Sequence, residues 1–315
     1  MARDIPQTTE GRPELLVIAG PTGAGKSALA VELAERVGAE IVSADSQAVY
    51  RHFDVGTAKP GPELLVRVPH HLVSAIEPGE PFSAARWAAL ADAAIAGAVA
   101  RGRRVLVVGG TGLYIRVLLH GLTDTPPDPH VRRALEEEAR TLGPEALHRR
   151  LRSIDPDAAG PLAVSDVLRV IRALEIHTTT GELPSRLRAE HRFAPARYPT
   201  RIWFLDPPRE ELERRLRERT RSMFAGGLLA EVERLVAAGH RQAAPMRSVG
   251  YRQALAVLEG RLDRAAAEEE TFLETRRYAK RQRTWFRHRV EAARLDVCAA
   301  GLEGLTAAAL DLLHG

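Results

Sequence analysis

The sequence predicts an α/β protein, a parallel sheet flanked by helices with a small helical domain inserted, on three observations. An apolar run, Leu15–Ala19, leads into Gly20-Pro21-Thr22-Gly23-Ala24-Gly25-Lys26-Ser27, after which Ala28, Leu29, Leu33 and Val37 recur at helical spacing. Strand, glycine-rich turn, Lys-Ser and helix together make a P-loop, which places the core among P-loop NTPase-like folds. Further apolar runs alternate with helical patterns, as expected when helices cover both faces of a parallel sheet. A long interval, roughly His120 to Thr200, breaks that alternation and reads as helical.

The elements follow in order. Leu15–Ala19 is the first buried strand and Glu40–Ala44 the second. Arg86–Ala100 is alanine-rich and helical, and Val105–Val108 is a third, fully apolar strand. The insertion opens around Asp124-Thr125-Pro126-Pro127-Asp128-Pro129, where Asp128 suits an N-cap and Pro129 the first helical position. Val131, Leu135 and Ala139 then recur at helical spacing; near Asp166–Thr178, Val167, Val170, Ile171 and Leu174 do so again. Gly181, Pro184 and Pro195 break the return to a fourth strand, Ile202–Leu205. Beyond Asp206-Pro207-Pro208 a long helix carries Leu212, Leu216, Arg219 and Met223 on one stripe. Gly226-Gly227 interrupts it, and a last long helix runs from about Ala265 to Arg289. The expected organisation is a disordered lead over residues 1–13, a core over 14–120 and 200–315, and a helical lobe over 121–199.

Hydrophobic content of 45% and charged content of 27% describe a soluble globular chain, and no apolar run approaches a membrane span. The N-terminal residues lack an apolar h-region, so the expected location is the cytoplasm. The single cysteine, Cys298, excludes an internal disulfide and a Cys-based zinc site, and reads as a small packing residue. Net charge is +4, and with lysine only at 26, 59 and 280 nearly all the positive charge is arginine. Nothing demands more than a monomer.

The P-loop names a phosphate. Its glycines let backbone N–H groups face phosphate oxygens, and the helix N-terminus adds its positive dipole end. Lys26 can reach terminal phosphates, and the Ser27 hydroxyl can ligate a bridging Mg²⁺. Asp45 ends the second strand beside the P-loop, at the sheet edge where ligands bind. There it can hold Mg²⁺ or accept a proton, or equally cap a following helix. The third strand ends in Gly109-Gly110-Thr111-Gly112 where an NTP hydrolase would carry an Asp, which weakens an ATPase assignment. Phe272–Arg289 holds seven cationic residues against Glu274, with Tyr278, Trp285 and Phe286 interleaved; it is a nucleic-acid candidate or a solvated helix with aromatics in the core. Arg214, Arg215, Arg217, Arg219 and Arg221 cluster so densely that most must face water. His70-His71 has no metal-like partner spacing and reads as packing or exposed.

Taken in order, several segments resemble the bacterial tRNA dimethylallyltransferase family. They are the P-loop, Ser43-Ala44-Asp45-Ser46-Gln47-Ala48-Val49-Tyr50, Asp54-Val55-Gly56-Thr57-Ala58-Lys59-Pro60, Gly109–Tyr114, Arg169–Glu175, Arg247–Gln253 and Thr275–Gln282. The resemblance runs from about Leu15 to Asp296 and implies transfer rather than hydrolysis. The P-loop would hold the diphosphate of dimethylallyl diphosphate, and N6 of adenosine 37, in tRNAs reading codons that begin with U, would attack the allylic carbon. It implies that Asp45 handles the N6 proton and that Thr22, Lys26, Ser27 and Arg219 stabilise the departing diphosphate, with Mg²⁺ at Ser27. It further implies tRNA contacts from Asp45, Ser46, Gln47, Ala48, Thr111, Arg132, Leu168, Arg169, Val170, Ile171, Arg172, Arg247, Ser248, Val249, Gly250, Tyr251 and Arg252, with the helical lobe clamping the anticodon stem-loop. The chain departs from the family pattern at Ser165, where Asn is usual, and at Arg221, where Asp is usual. A small-molecule P-loop kinase, a prenyl transferase acting on free nucleotide and a nucleotide-gated RNA-binding protein share parts of this pattern.

Overall fold

A computed structural model describes residues 11–122, 125, 127–192, 196–289, 292–295 and 301–314. Residues 1–10 of the expected lead, Asp124, Pro126, Pro195 and Cys298 lie outside them. The chain divides into two compact units, one formed by the residues up to Leu119 and from Tyr198 onward, the other by His120–Arg197.

The larger unit runs β1 (Leu15–Ala19), α1 (Lys26–Val37), β2 (Ala39–Ser43), α2 (Pro62–Arg67), β3 (His70–His71), α3 (Ala84–Ala100), β4 (Arg104–Gly109) and α4 (Gly112–His120). The smaller holds α5 (Pro129–Leu142), α6 (Pro144–Ile154), α7 (Pro156–Ala159), α8 (Val167–Thr180) and α9 (Pro184–Arg192). The larger resumes with β5 (Thr200–Leu205), α10 (Arg209–Ala225), α11 (Leu228–Ala237), α12 (Tyr251–Leu258), α13 (Arg264–Arg289), β6 (Ala293–Leu295) and α14 (Gly301–His314).

Among the described residues the sheet is parallel throughout, in the order β3-β2-β4-β1-β5-β6. Its strands read as unbroken apolar runs because each face is covered. Leu15, Val17 and Val107 face Trp87, Ile95, Ile115 and Leu118, whereas Leu16, Ile18 and Leu106 face Leu29, Leu33 and Leu305. This is a P-loop NTPase-like sheet flanked by helices. The two-residue strand β3 and the three-residue β6 are too short to leave a periodicity, so the sequence does not announce these edges. The histidines of β3 have a definite place: His71 Nε2 lies 2.6 Å from the buried Glu40 carboxylate, which also accepts from Arg101 at 2.7 and 3.0 Å. The Arg101 hydrogen bonds, with His71 assisting against burial, pull Glu40 down to about 2.

The smaller unit has its own core of Leu135, Leu147, Leu151, Val170, Ile171 and Leu174. Asp128 caps α5 by accepting from the backbone of His130 (2.8 Å) and Val131 (3.2 Å), and Pro129 takes the first helical position. No described helix is long and apolar enough to cross a membrane.

Candidate active site

A cavity of about 360 Å³ lies in the larger unit at the C-terminal edge of the sheet. The turn after β1 forms one wall. Gly23 and Gly25 take left-handed φ values of +80° and +90°, which L side chains rarely adopt. Gly25 starts α1 without any side-chain cap, leaving first-turn N–H groups for an outside acceptor. Thr22, Lys26 and Ser27 line the cavity, and Lys26 Nζ donates to the Pro21 carbonyl at 2.8 Å. Burial drives Lys26 down to about 8, with Asp45 opposing and Arg219 adding to the fall. A desolvated cation of this kind is the complement of an anionic ligand.

The segment after β2 forms the opposite wall. No helix follows Asp45, so the capping alternative gives way to a tight turn: Asp45 Oδ1 accepts from Gln47 N (2.8 Å) and Ala48 N (3.2 Å). Thr111 Oγ1 accepts from Ser46 N at 3.0 Å, and Thr111 N donates to the Ala44 carbonyl at 3.1 Å. The glycine turn after β4 thereby fixes the loop that carries Asp45.

Arg219 enters from α10. Leu212 and Leu216 of its stripe are buried, while Arg219 and Met223 line the cavity. Arg219 donates to the Thr57 carbonyl at 3.1 Å, and its Nε is buried with no hydrogen-bond partner among the described residues. Burial lowers Arg219 below the ordinary guanidinium value, with Asp45 opposing in part. The neighbouring arginines are spent on the surface: Arg214 and Arg215 on Glu211, Arg217 on Glu269 and Arg221 near Glu268.

A buried carboxylate shapes the remaining wall. Glu231 accepts from the backbone of Asp54 (3.2 Å), Val55 (2.9 Å) and Gly56 (3.5 Å), and from the Tyr251 hydroxyl, which itself accepts from Gly56 N at 3.1 Å. Lys59 closes the loop, donating to Tyr50 O, to Asp54 Oδ1 at 2.7 Å and to Ser74 Oγ at 2.9 Å. Buried Glu231 and Tyr251 and inward-pointing Lys59 hold the cavity's rim in shape.

Of the candidates, Thr22, Lys26, Ser27, Asp45, Ser46, Gln47, Ala48, Arg219, Arg247, Ser248, Val249 and Arg252 converge on this cavity. Arg252 is ion-paired to Glu274. Within the segments expected to contact tRNA, the side chains of Val170, Ile171 and Tyr251 are buried in core. In the smaller unit, Leu168 and Arg169 are exposed, Arg169 alongside Asp166. Arg132 and Arg172 both clasp the fully buried Glu175, at 2.7 and 2.8 Å, which also takes Asp128 N at 3.0 Å. The aromatics of α13 turn inward: Phe286 is core, Trp285 packs on Gly112, and Tyr278 lines the cavity. Arg277, Lys280, Arg281 and Arg287 remain on its exposed side. The sequence reading did not assign Tyr278 and Gln282 to the cavity, because the charge of α13 masks their i, i+4 spacing on one face.

The IPP transferase family profile matches residues 48–289, and the Isopentenyl transferase profile matches 13–70, the P-loop included. The chain is 58% identical over 277 residues to a tRNA dimethylallyltransferase of Myxococcus xanthus (strain DK1622), covering 88% of this chain and 90% of that protein. The chain belongs to the IPP transferase family. A tRNA dimethylallyltransferase of Anaeromyxobacter sp. (strain K) is 53% identical over 87% of this chain and 90% of its own length. Among solved structures, the full-length tRNA isopentenylpyrophosphate transferase of Bacillus halodurans aligns with TM-score 0.72 and 34% identity over 96% of each chain. A eukaryotic dimethylallyltransferase described as acting on tRNA aligns with TM-score 0.77 and 27% identity, over 91% of this chain and 74% of that one. Both residues that depart from the family pattern, Arg221 and Ser165, are exposed.

Proposed function

We propose that this chain transfers the dimethylallyl group of dimethylallyl diphosphate to N6 of adenosine 37 in tRNAs that read codons beginning with U. The observation that carries this reading is one cavity joining a phosphate loop, two desolvated cations and a carboxylate. The allylic C–O bond breaks, C1 bonds to N6, and the N6 proton passes to Asp45 while diphosphate leaves. Negative charge grows on the diphosphate as the carbon departs, so Lys26, Arg219, Thr22 and the loop amides, fixed before substrate arrives, act where they lower the barrier most. The residues Gly20 to Ser27 cradle the diphosphate. An anticodon loop suits the acceptor, because flipping an adenosine out of a single-stranded loop costs only a few kcal/mol.

Mg²⁺ fits the donor set. Among the described residues no cluster of three His, Cys, Asp or Glu could cage a metal, whereas the Ser27 hydroxyl opens to the cavity beside the phosphate loop. That is the pattern of a cation held by substrate phosphates and water rather than by protein alone. Bound there, Mg²⁺ supplies charge neutralisation at the diphosphate. Arg132, Arg169 and Arg172 of the helical unit, with Arg247 and Arg252, serve the anticodon stem-loop. The enzyme works as a cytoplasmic monomer.

Asp45→Ala tests the assignment. Product formation is expected to fall ~10²–10⁴-fold with stem-loop affinity within a few-fold of the parent protein. Loss of RNA binding in proportion to activity would remove Asp45 from proton transfer.

A further inference from the structure

One side chain of α13 touches both loops that frame the phosphate end of the cavity. Gln282 is buried, with 7% of its surface exposed. Its Oε1 accepts from Thr22 N at 2.9 Å, and its Nε2 donates to the Gly110 carbonyl at 2.9 Å. The two partners dictate the amide's orientation, since a backbone N–H must meet oxygen and a carbonyl must meet N–H. Gly110 makes the room: a Cβ there would lie 2.2 Å from Gln282 Nε2. One turn earlier, Tyr278 lines the same cavity. Thr111 holds Ser46 N, next to Asp45.

We infer that Gln282 is a positioning residue, which locks the phosphate loop and, through the Gly110-Thr111 turn, the Asp45 loop into one hydrogen-bonded frame. The inference rests on the transferase reading above. Thr22 N–H is taken by Gln282 instead of being left to the phosphate, so the amide sets where the Thr22 peptide and hydroxyl stand. The remaining loop amides and Lys26 still bind ground-state diphosphate without it. What is lost is alignment between the leaving group and the proton acceptor, and misalignment on the order of 1 Å costs up to about 100-fold in rate.

The test is single-turnover transfer at saturating enzyme, where the rate constant is independent of the fraction of active protein, with the folded fraction read separately by circular dichroism and thermal melting. Gln282→Met, similar in shape but unable to make either bond, is expected to slow the rate constant about 30-fold. Its KM for dimethylallyl diphosphate should stay within about threefold, the signature of an interaction realised at the transition state. Thr111→Val, which removes the acceptor of Ser46 N, should slow it about fivefold by the same pattern. A reduced folded fraction with an unchanged rate constant at saturating enzyme would mean that Gln282 only supports folding, and would overturn the inference. So would a KM that rises in step with the loss of rate. If Gln282→Met does not fold, Thr111→Val decides, and a parent-like rate constant there overturns the shared frame. Failure of the parent protein to form any prenylated RNA would instead refute the transferase reading.

Discussion

Gly109→Ala probes the geometry of the site through a single methyl group. Gly109 ends β4 so close to the exit of β2 that a Cβ would lie 2.1 Å from the Ala44 carbonyl oxygen, 2.4 Å from its carbon and 2.8 Å from its Cα. All three are backbone atoms, so no rotamer change relieves the overlap. Ordinary contact needs roughly 3.5 Å, and the two strand ends must part by about 1 Å. Overpacking on this scale costs about 1–3 kcal/mol, a few degrees in Tm for a chain of this length. The larger effect should be catalytic. Ala44 precedes Asp45 and accepts from Thr111 N, so the separation carries Asp45 away from the phosphate loop. A displacement of ~1 Å can cost on the order of 100-fold in rate. Calorimetry and single-turnover transfer measured on the same sample separate the two effects. A folded Gly109→Ala protein whose rate constant stays within about threefold of the parent would refute the claim that Asp45 is held by β4.

Other perturbations have equally definite outcomes. Glu231→Gln keeps the shape of the buried carboxylate but cannot accept from the Asp54–Gly56 amides and Tyr251 together; calorimetry should show about 2–3 kcal/mol lost, and kinetics a raised KM as the rim loosens. Glu40 is held at about 2, below its ordinary value of 4.5, so its contribution is present above pH 4.5 and disappears as pH falls through 2. Glu40→Gln should therefore lower stability near pH 7 by about 1–3 kcal/mol and converge with the parent near pH 2, as followed by denaturant titration at each pH. Glu175→Gln weakens the clasp on Arg132 and Arg172, so stem-loop affinity should fall severalfold by anisotropy while the KM for dimethylallyl diphosphate does not move.

Strands and helices are legible in both units where their signals are local. Leu15–Ala19 followed by the P-loop, the Asp128-Pro129 helix start and the Gly226-Gly227 break each declare themselves within a few residues. The stripe Leu212, Leu216, Arg219 and Met223 singles out Arg219 from its four arginine neighbours, and the structure turns that stripe inward. What remained hidden depends on partners far apart in the chain. Glu231 finds the Asp54–Gly56 amides across some 175 residues, and Gln282 reaches Thr22 across 260. Neither carries a periodicity of its own. Tyr251 is a related case: it sits inside the Arg247–Gln253 segment that resembles an RNA contact, and its ring is core against Phe53. A segment can be functional while alternate residues only hold it in place.

The most direct measurement incubates the purified protein with Mg²⁺, dimethylallyl diphosphate and unmodified tRNA, with AMP as a parallel acceptor, and digests the RNA for nucleoside mass spectrometry. The account predicts N6-dimethylallyl-adenosine in the tRNA at position 37 and no prenylated AMP. Product on AMP with none in tRNA, or turnover of ATP with no prenylated product, would contradict it.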